Sequence, residues 1–154
     1  MELTTILRPD AVKTVGAFGS KKRLFQELGE LAALTRNVGS VDVSVALQER
    51  ESLGPTGVGK GIALPHARLE SIDSIMGIFL RLEKPLDFES VDRQPVDLIF
   101  ALLAPLDAGV EHLKALALVS RTMRDASLCS KLRANTDPST LHTLLTDMPN
   151  VQAA

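Results

Sequence analysis

Hydrophobic positions recur at helical spacing in several parts of the chain. Ser20 is a candidate N-cap for a helix to about Arg36, in which positions 24, 28, 31 and 35 repeat with charged residues between them. Ser40 is the candidate cap of a second helix through about Arg50. Further helices are predicted over about 110–124 and 128–134, and one opens where an N-cap aspartate precedes a proline at 137–138.

Two long apolar runs between these helices predict central strands. The runs "SIMGIFLRL" (74–82) and "VDLIFALLAP" (96–105) are apolar at both alternating sets of positions, which is typical of strands covered on both faces. A shorter run, Ile62 to Leu64, predicts a strand that stops at Pro65-His66. The pattern therefore predicts an α/β fold in which helices lie on either side of a sheet.

Composition limits the size and the class of the protein. With 154 residues, 45% of them hydrophobic and 23% charged, the chain has the length of one globular domain. A net charge of -2, five Phe and no Trp or Tyr give neither the basic surface nor the aromatic platforms of a nucleic-acid binder. Nucleic acid is therefore not an expected partner.

Other features of the sequence point to the cytoplasm. The single cysteine, Cys129, cannot form an internal disulfide and has no neighbours at metal-ligand spacing. The N-terminus lacks a cationic segment followed by an apolar run, and no window approaches the roughly 18 apolar residues of a membrane span. We expect no metal, no cofactor and no membrane insertion.

The stretch "GPTGVGK", Gly54 to Lys60, matches the opening of a phosphate-binding loop. Such a loop needs a strand before it, a helix after it and a Ser or Thr after the lysine to hold magnesium. Here the preceding segment predicts a helix, the following one predicts a strand, and Gly61 occupies the magnesium position. Nucleotide binding is thus a remote alternative, and a turn-rich connection explains these glycines without any ligand.

His66 directly follows a proline at the predicted end of a strand. Neutral imidazole is a nucleophile, and an ordinary pKa of about 6.5 leaves much of it neutral at cytoplasmic pH. Functional side chains are common where strands of α/β folds end. A histidine that only fills space at this place is the simpler alternative.

Two more histidines have different settings. His112 precedes Leu116, Val119 and Met123 at i+4, i+7 and i+11, so it lies in the first turn of its predicted helix on the inward face. It is either an ordinary core histidine or a partner of His66 at one edge of the sheet. The last histidine, at position 142, has no glycine or proline framing and is predicted to be a surface residue.

The sequence resembles a known family at this point. "RESLGPTGVGKGIALPHAR" (50–68) is similar to the phosphorylation-site signature of the fructose/mannitol-type EIIA domains of the bacterial phosphoenolpyruvate-dependent phosphotransferase system. "SKKR" (20–23), "DRQPVDLIFALLAP" (92–105) and "EHLKALALVS" (111–120) resemble stretches of its nitrogen-related branch. The resemblance covers nearly the whole chain.

The resemblance implies a fold and a set of partners. The implied fold is a mixed central sheet sandwiched by helices, formed by a single EIIA domain over residues 1–154 with a core of about 3–147. The implied phosphoryl donor is a carrier protein of the HPr or NPr kind. The recipient is either a set of regulated target proteins or an EIIB domain.

The resemblance also assigns roles to residues. It implies that His66 accepts the phosphoryl group, that His112 is the second active-site histidine and that Arg50 helps to hold the phosphate. An acceptor imidazole needs positioning and donors for the phosphoryl oxygens rather than a metal or a general base. Supporting donors are expected from the loop, at Thr56, Gly57 and Gly59.

Three readings of the function remain open. The first is a nitrogen-branch phosphocarrier that regulates target proteins, and the second is a sugar-specific EIIA subunit that serves an EIIB domain. The third and remote one is a nucleotide-binding protein that uses Gly54 to Lys60. A binding module that is never phosphorylated would be a different class again, which a fully buried His66 would indicate. Two departures from the nitrogen branch, Lys60 for a common Asn and Ala67 for a common Gly, leave His66 intact, although Lys60 alters charge near a partner.

Overall fold

A six-stranded sheet lies between two layers of helices in the computed structural model, which describes residues 1–147. The strands are β1 (Val12–Val15), β2 (Gly57–Gly59), β3 (Ile62–Ala63), β4 (His66–Leu69), β5 (Met76–Leu86) and β6 (Val96–Pro105). The helices are α1 (Leu3–Ile6), α2 (Lys21–Arg36), α3 (Ser40–Ser52), α4 (Val110–Met123), α5 (Ala126–Arg133) and α6 (Pro138–Thr146), with a 3-10 turn at Pro9–Ala11.

The sheet has the order β1-β5-β6-β3-β2, and β4 also pairs with β6. The long strands β5 and β6 are antiparallel and central, as their apolar runs predict. β1 runs parallel to β5, whereas β3 and β4 both run parallel to β6. The predicted mixed sheet is therefore confirmed, and β6 is the strand with which β3 and β4, on either side of Pro65, are paired.

The core is divided by the sheet into two layers. Alternating side chains of β5 belong to different layers. Ile78 and Leu80 pack toward α2 and α3, while Phe79 packs on the opposite face of the sheet. Phe79 meets Phe100 edge to face, with ring centroids 6.1 Å apart. The second layer is completed by α1, α4, α5 and α6. Helices thus cover both faces of the sheet, in agreement with the two-sided apolar pattern of its central strands.

The helix ends agree with the sequence at two places and differ at one. The Ser20 hydroxyl accepts a hydrogen bond from the Arg23 amide at 3.2 Å, and the Asp137 carboxylate accepts one from the Thr140 amide. The prediction that Ser40 caps α3 is wrong, because Gly39 is the N-cap residue and Ser40 is already helical. Within residues 1–147 no helix has the length and apolar character to cross a membrane.

Candidate active site

The pairing of β4 with β6 positions His66. His66 is the first residue of β4 and lies opposite Leu102 of β6. The predicted short strand is β3, which ends at Ala63, before Pro65; the sequence did not predict that a second strand begins at His66. Pro65 lacks an amide hydrogen, but its carbonyl accepts a hydrogen bond from the Leu102 amide at 2.9 Å, so the connection to β6 continues through the proline.

One nitrogen of His66 is committed to the backbone. Its Nδ1 lies 2.9 Å from the Leu64 carbonyl oxygen, which can only accept, so Nδ1 carries the proton and donates. In the neutral ring the lone pair then belongs to Nε2. His66 is half-buried, and the condition that would have indicated a binding module, a fully buried ring, is not met. The backbone thus selects the tautomer in which Nε2 holds the free lone pair of the ring.

His112 lies beside His66, in the first turn of α4. The two ring centroids are 5.7 Å apart, and the planes are inclined at 48°. His112 is 4% exposed, and its buried Nδ1 makes no hydrogen bond with residues 1–147. Nε2 of His112 is not fully buried and makes no hydrogen bond with residues 1–147 either, so it is the ring nitrogen that can meet a ligand oxygen beside His66.

Both histidines have pKa values below the ordinary range. Burial is the main cause of the lowered pKa of His66, assisted by the positive charges of Arg50 and Arg68, while the Leu64 hydrogen bond and Glu51 oppose it. Burial also lowers the pKa of His112, followed by the charges of His66 and Arg68. The two rings are therefore neutral at pH 7, the state that a nucleophilic imidazole requires.

The lowered pKa values predict how stability depends on pH. Because the native histidines bind protons less readily than the unfolded ones, the unfolded state holds more protons below pH 6.5. The free energy of unfolding should therefore fall as the pH drops from about 7.5 to 5.5. Urea unfolding at these two values measures the loss, and the double variant His66→Gln/His112→Gln should show a smaller loss. An equal loss in the double variant would contradict the assigned cause.

Arg50 and the loop after α3 form the next part of the site. The Arg50 side chain, in the last turn of α3, donates from Nη1 to the Gly54 carbonyl at 3.0 Å. Arg50 is half-buried, and its charge contributes to the lowered pKa of His66. The structure thus places Arg50 near His66, with guanidinium nitrogens that remain able to donate to an anion.

A buried ion pair that sequence reasoning missed supports this loop. The Glu51 carboxylate, whose side chain is 7% exposed, accepts from Lys21 Nζ at 2.9 Å. It also accepts from the Thr56 amide at 3.0 Å and from the Thr56 hydroxyl at 2.5 Å. Both donors of Thr56 are therefore engaged by Glu51. Its predicted support of the phosphate stays a prediction, and in this structure Thr56 fixes the loop.

The glycine-rich segment does not have the geometry of a nucleotide loop. Lys60, in a left-handed conformation with φ 58°, lies in the turn between β2 and β3, and a strand follows it instead of a helix. Gly57 packs closely on Ser90, since a Cβ there would lie 2.1 Å from the Ser90 hydroxyl. Gly59 has a φ of 97°, which favours glycine. Close packing and turn geometry therefore explain these glycines, and donation to phosphate by Gly57 and Gly59 stays a prediction.

Replacement of Gly57 by alanine should destabilise the protein by about 1–3 kcal/mol, because the new methyl group overlaps the Ser90 side chain. Gly16→Ala is the matched control, since no atom lies within 4 Å of a Cβ at that position. Urea unfolding of both variants measures the difference. A Gly57→Ala variant as stable as Gly16→Ala would show that the loop has room to move.

The prediction that the third histidine is a surface residue is wrong. His142 of α6 is half-buried, and its Nε2 lies 2.9 Å from the Leu7 carbonyl oxygen. This contact joins α6 to the end of α1, and it depends on how the two ends of the chain pack together in the fold.

No group of three or more His, Cys, Asp or Glu side chains within residues 1–147 is arranged to hold a metal ion.

A comparison against protein families identifies the family to which the chain belongs. Residues 5–148 match the family model of the phosphoenolpyruvate-dependent sugar phosphotransferase system, EIIA 2. The chain belongs to this family. The resemblance carried by residues 50–68 is thereby confirmed.

Relatives place the chain near the nitrogen-related branch. It is 44% identical to a nitrogen regulatory protein of Bradyrhizobium diazoefficiens, over 100% of both chains. A fructose-specific EIIA component of Haloferax volcanii is 28% identical over 96% of each chain. The crystal structure of the nitrogen regulatory protein IIA-Ntr from Neisseria meningitidis superposes with a TM-score of 0.84 and 35% identity, covering 92% of this chain and 97% of that one.

Proposed function

We propose that this chain is a phosphohistidine carrier of a nitrogen-related phosphotransferase system, working in the cytoplasm as a single EIIA domain over residues 1–154. It accepts a phosphoryl group on His66 from an HPr- or NPr-like protein and regulates other proteins through its phosphorylation state. The observation that carries this proposal is the Leu64 hydrogen bond to Nδ1, which leaves Nε2 of His66 as the free nucleophile.

The transfer itself requires little from the protein except positioning. The lone pair of His66 Nε2 attacks phosphorus in line with the phosphohistidine bond of the carrier, and the leaving imidazole nitrogen takes back its bonding pair. Since Nε2 carries no proton, no general base is needed. Arg50 and His112 are proposed to donate hydrogen bonds to the phosphoryl oxygens, where charge is concentrated in the transition state.

An apolar rim around the site supports docking of a protein donor. Exposed apolar side chains lie next to Arg50 and His112 in the chain: at the end of α3, in the loop after β6 and at the start of α4. Such residues are typical of the centre of protein interfaces. The apolar rim consists of Leu53, Leu106, Val110 and Leu113.

The same rim supports regulation by phosphorylation. A partner that docks on apolar residues around neutral His66 would have to bury the charge of a phosphoryl group, roughly -1.5 to -2, unless it provided its own cations. One phosphorylation state should then bind and the other should not. The nitrogen-branch relatives at 35–44% identity favour this role over that of a sugar-specific subunit, which would pass the group to an EIIB domain.

Transfer from purified phospho-carrier, in the absence of magnesium, tests the first half of the proposal. The protein should gain one acid-labile phosphoryl group, detected as a mass increase that disappears after mild acid treatment. A protein that takes up no phosphoryl group from either an HPr- or an NPr-type carrier would contradict it.

Partner capture tests the second half. Unmodified protein, His66→Ala and phosphorylated protein are compared as baits, while backbone amide shifts report on the fold. We expect one set of partners for the first two baits and a different set for the third. Identical sets for all three would remove the regulatory role, and an EIIB domain that accepts the phosphoryl group would favour the sugar-specific alternative.

A further inference from the structure

We propose that Arg68 is a second guanidinium that binds the phosphoryl group on His66, in addition to Arg50. This inference rests on the proposed function, since it concerns the same phosphoryl site. The family resemblance implies roles for Arg50, His66 and His112 and none for this residue.

The geometry of β4 brings Arg68 to the side of the sheet on which His66 lies. Ala67 and Leu69 point into the core layer formed with α2 and α3, so the residues between and before them, Arg68 and His66, face the other way. Two residues of a strand that share a face are about 6.6 Å apart along the chain. An extended arginine side chain spans this distance, so its guanidinium can meet a group bonded to the His66 ring.

The end of β6 brings His112 to the same place. Arg68 lies opposite Ala104, one residue before β6 ends at Pro105, and the chain then passes through a short loop into α4, whose third residue is His112. Arg68 is also close enough for its charge to lower the pKa of both rings. Arg68 therefore neighbours the two histidines rather than one of them.

Arg68 is free to bind an anion. It is exposed, and it forms no hydrogen bond or ion pair with any residue of the described range 1–147. Arg50, in contrast, already donates one guanidinium nitrogen to the Gly54 carbonyl. A planar guanidinium matches the oxygens of a phosphoryl group with two parallel hydrogen bonds, so an unengaged one beside the acceptor nitrogen is suited to hold that group.

The test compares Arg68→Gln with Arg121→Gln, a matched control on the exposed side of α4. Both changes remove one exposed positive charge, and Arg121 is not part of the site. Each variant receives a phosphoryl group from purified phospho-carrier, and its lifetime is followed after the carrier is removed. We expect Arg68→Gln to be labelled about 5-fold or more slowly and to lose its phosphoryl group faster, while Arg121→Gln stays within about 2-fold of the wild type.

Two further readouts separate binding from a structural effect. In the unphosphorylated protein, Arg68→Gln should raise the pKa of both His66 and His112 in an NMR titration, and Arg121→Gln should not. Arg68→Lys should restore the lifetime in part, because it returns the charge without the planar fork. If the phosphoryl group has the same lifetime on Arg68→Gln as on the wild type, the role of Arg68 is overturned, while the proposed function is not affected. A wild-type protein that accepts no phosphoryl group would overturn the proposed function as well.

Discussion

Replacement of His66 by alanine is expected to abolish phosphorylation completely. The proposed reaction forms its new bond at His66 Nε2, and the methyl group of alanine offers no nucleophile. The neighbouring His112 is expected not to substitute, since its ring is 4% exposed and cannot meet an in-line donor as His66 can. The measurement is the mass increase after incubation with purified phospho-carrier.

His142→Gln is the matched control for that loss. Glutamine retains a donor for the Leu7 carbonyl, so the contact between α6 and the end of α1 can persist, and labelling should equal that of the wild type. A His66→Ala protein that still gains an acid-labile phosphoryl group would show that another residue is the acceptor. Circular dichroism of the variant establishes that a loss of labelling does not come from unfolding.

His112→Ala and Arg50→Ala should each slow transfer by about 10- to 1000-fold without abolishing it. The basis is the cost of removing one hydrogen-bond donor that stabilises transition-state charge, which is typically about 100- to 1000-fold and falls where solvent reaches the site. Because His66 is only half-buried, at least one of the two variants is expected to show a rate decrease at the lower end of this range. Rapid-quench measurements with phospho-carrier give both rates.

Conservative variants separate the two donors from their structural contacts. Arg50→Lys keeps the charge but loses the planar fork, so its rate should lie between those of wild type and Arg50→Ala. His112→Gln retains a donor at a similar depth and should be faster than His112→Ala. If both alanine variants react at the wild-type rate, neither residue holds the phosphoryl group. Arg50 would then only form its hydrogen bond to Gly54, and His112 would only pack in the core.

The sequence predicted most of the long elements because their periodicity reflects burial directly. β5 and β6 are central strands, and every residue of β6 from Leu98 to Ala104 is buried. It did not predict that His66 begins a strand of its own. β4 forms because β3 pairs with only the first part of β6, at Leu98 and Ile99, so that the rest of this edge of β6 is open for pairing. Such an edge arises only when the sheet is assembled. Nor did it predict the Gly39 cap, where an adjacent serine was the stronger local signal.

The parts of the site that were predicted are those with a local signal in the sequence. The framing of His66 by proline and the inward position of His112 are local features, and the structure brings these two rings to a centroid distance of 5.7 Å. The roles of Glu51 and Leu64 depend on long-range or backbone contacts that have no sequence signature. Glu51 pairs with Lys21, thirty positions away, and the Leu64 carbonyl selects the His66 tautomer.

The measurement that tests the account most directly is the NMR identification of the phosphorylated nitrogen. Protein labelled with ¹⁵N in its histidines is phosphorylated by the carrier, and the ³¹P–¹⁵N couplings assign the bond. The hydrogen bond from Nδ1 to the Leu64 carbonyl predicts a phosphoryl group on Nε2 of His66, with Nδ1 still protonated. A phosphoryl group on Nδ1 of His66, or on any other residue, would contradict the account.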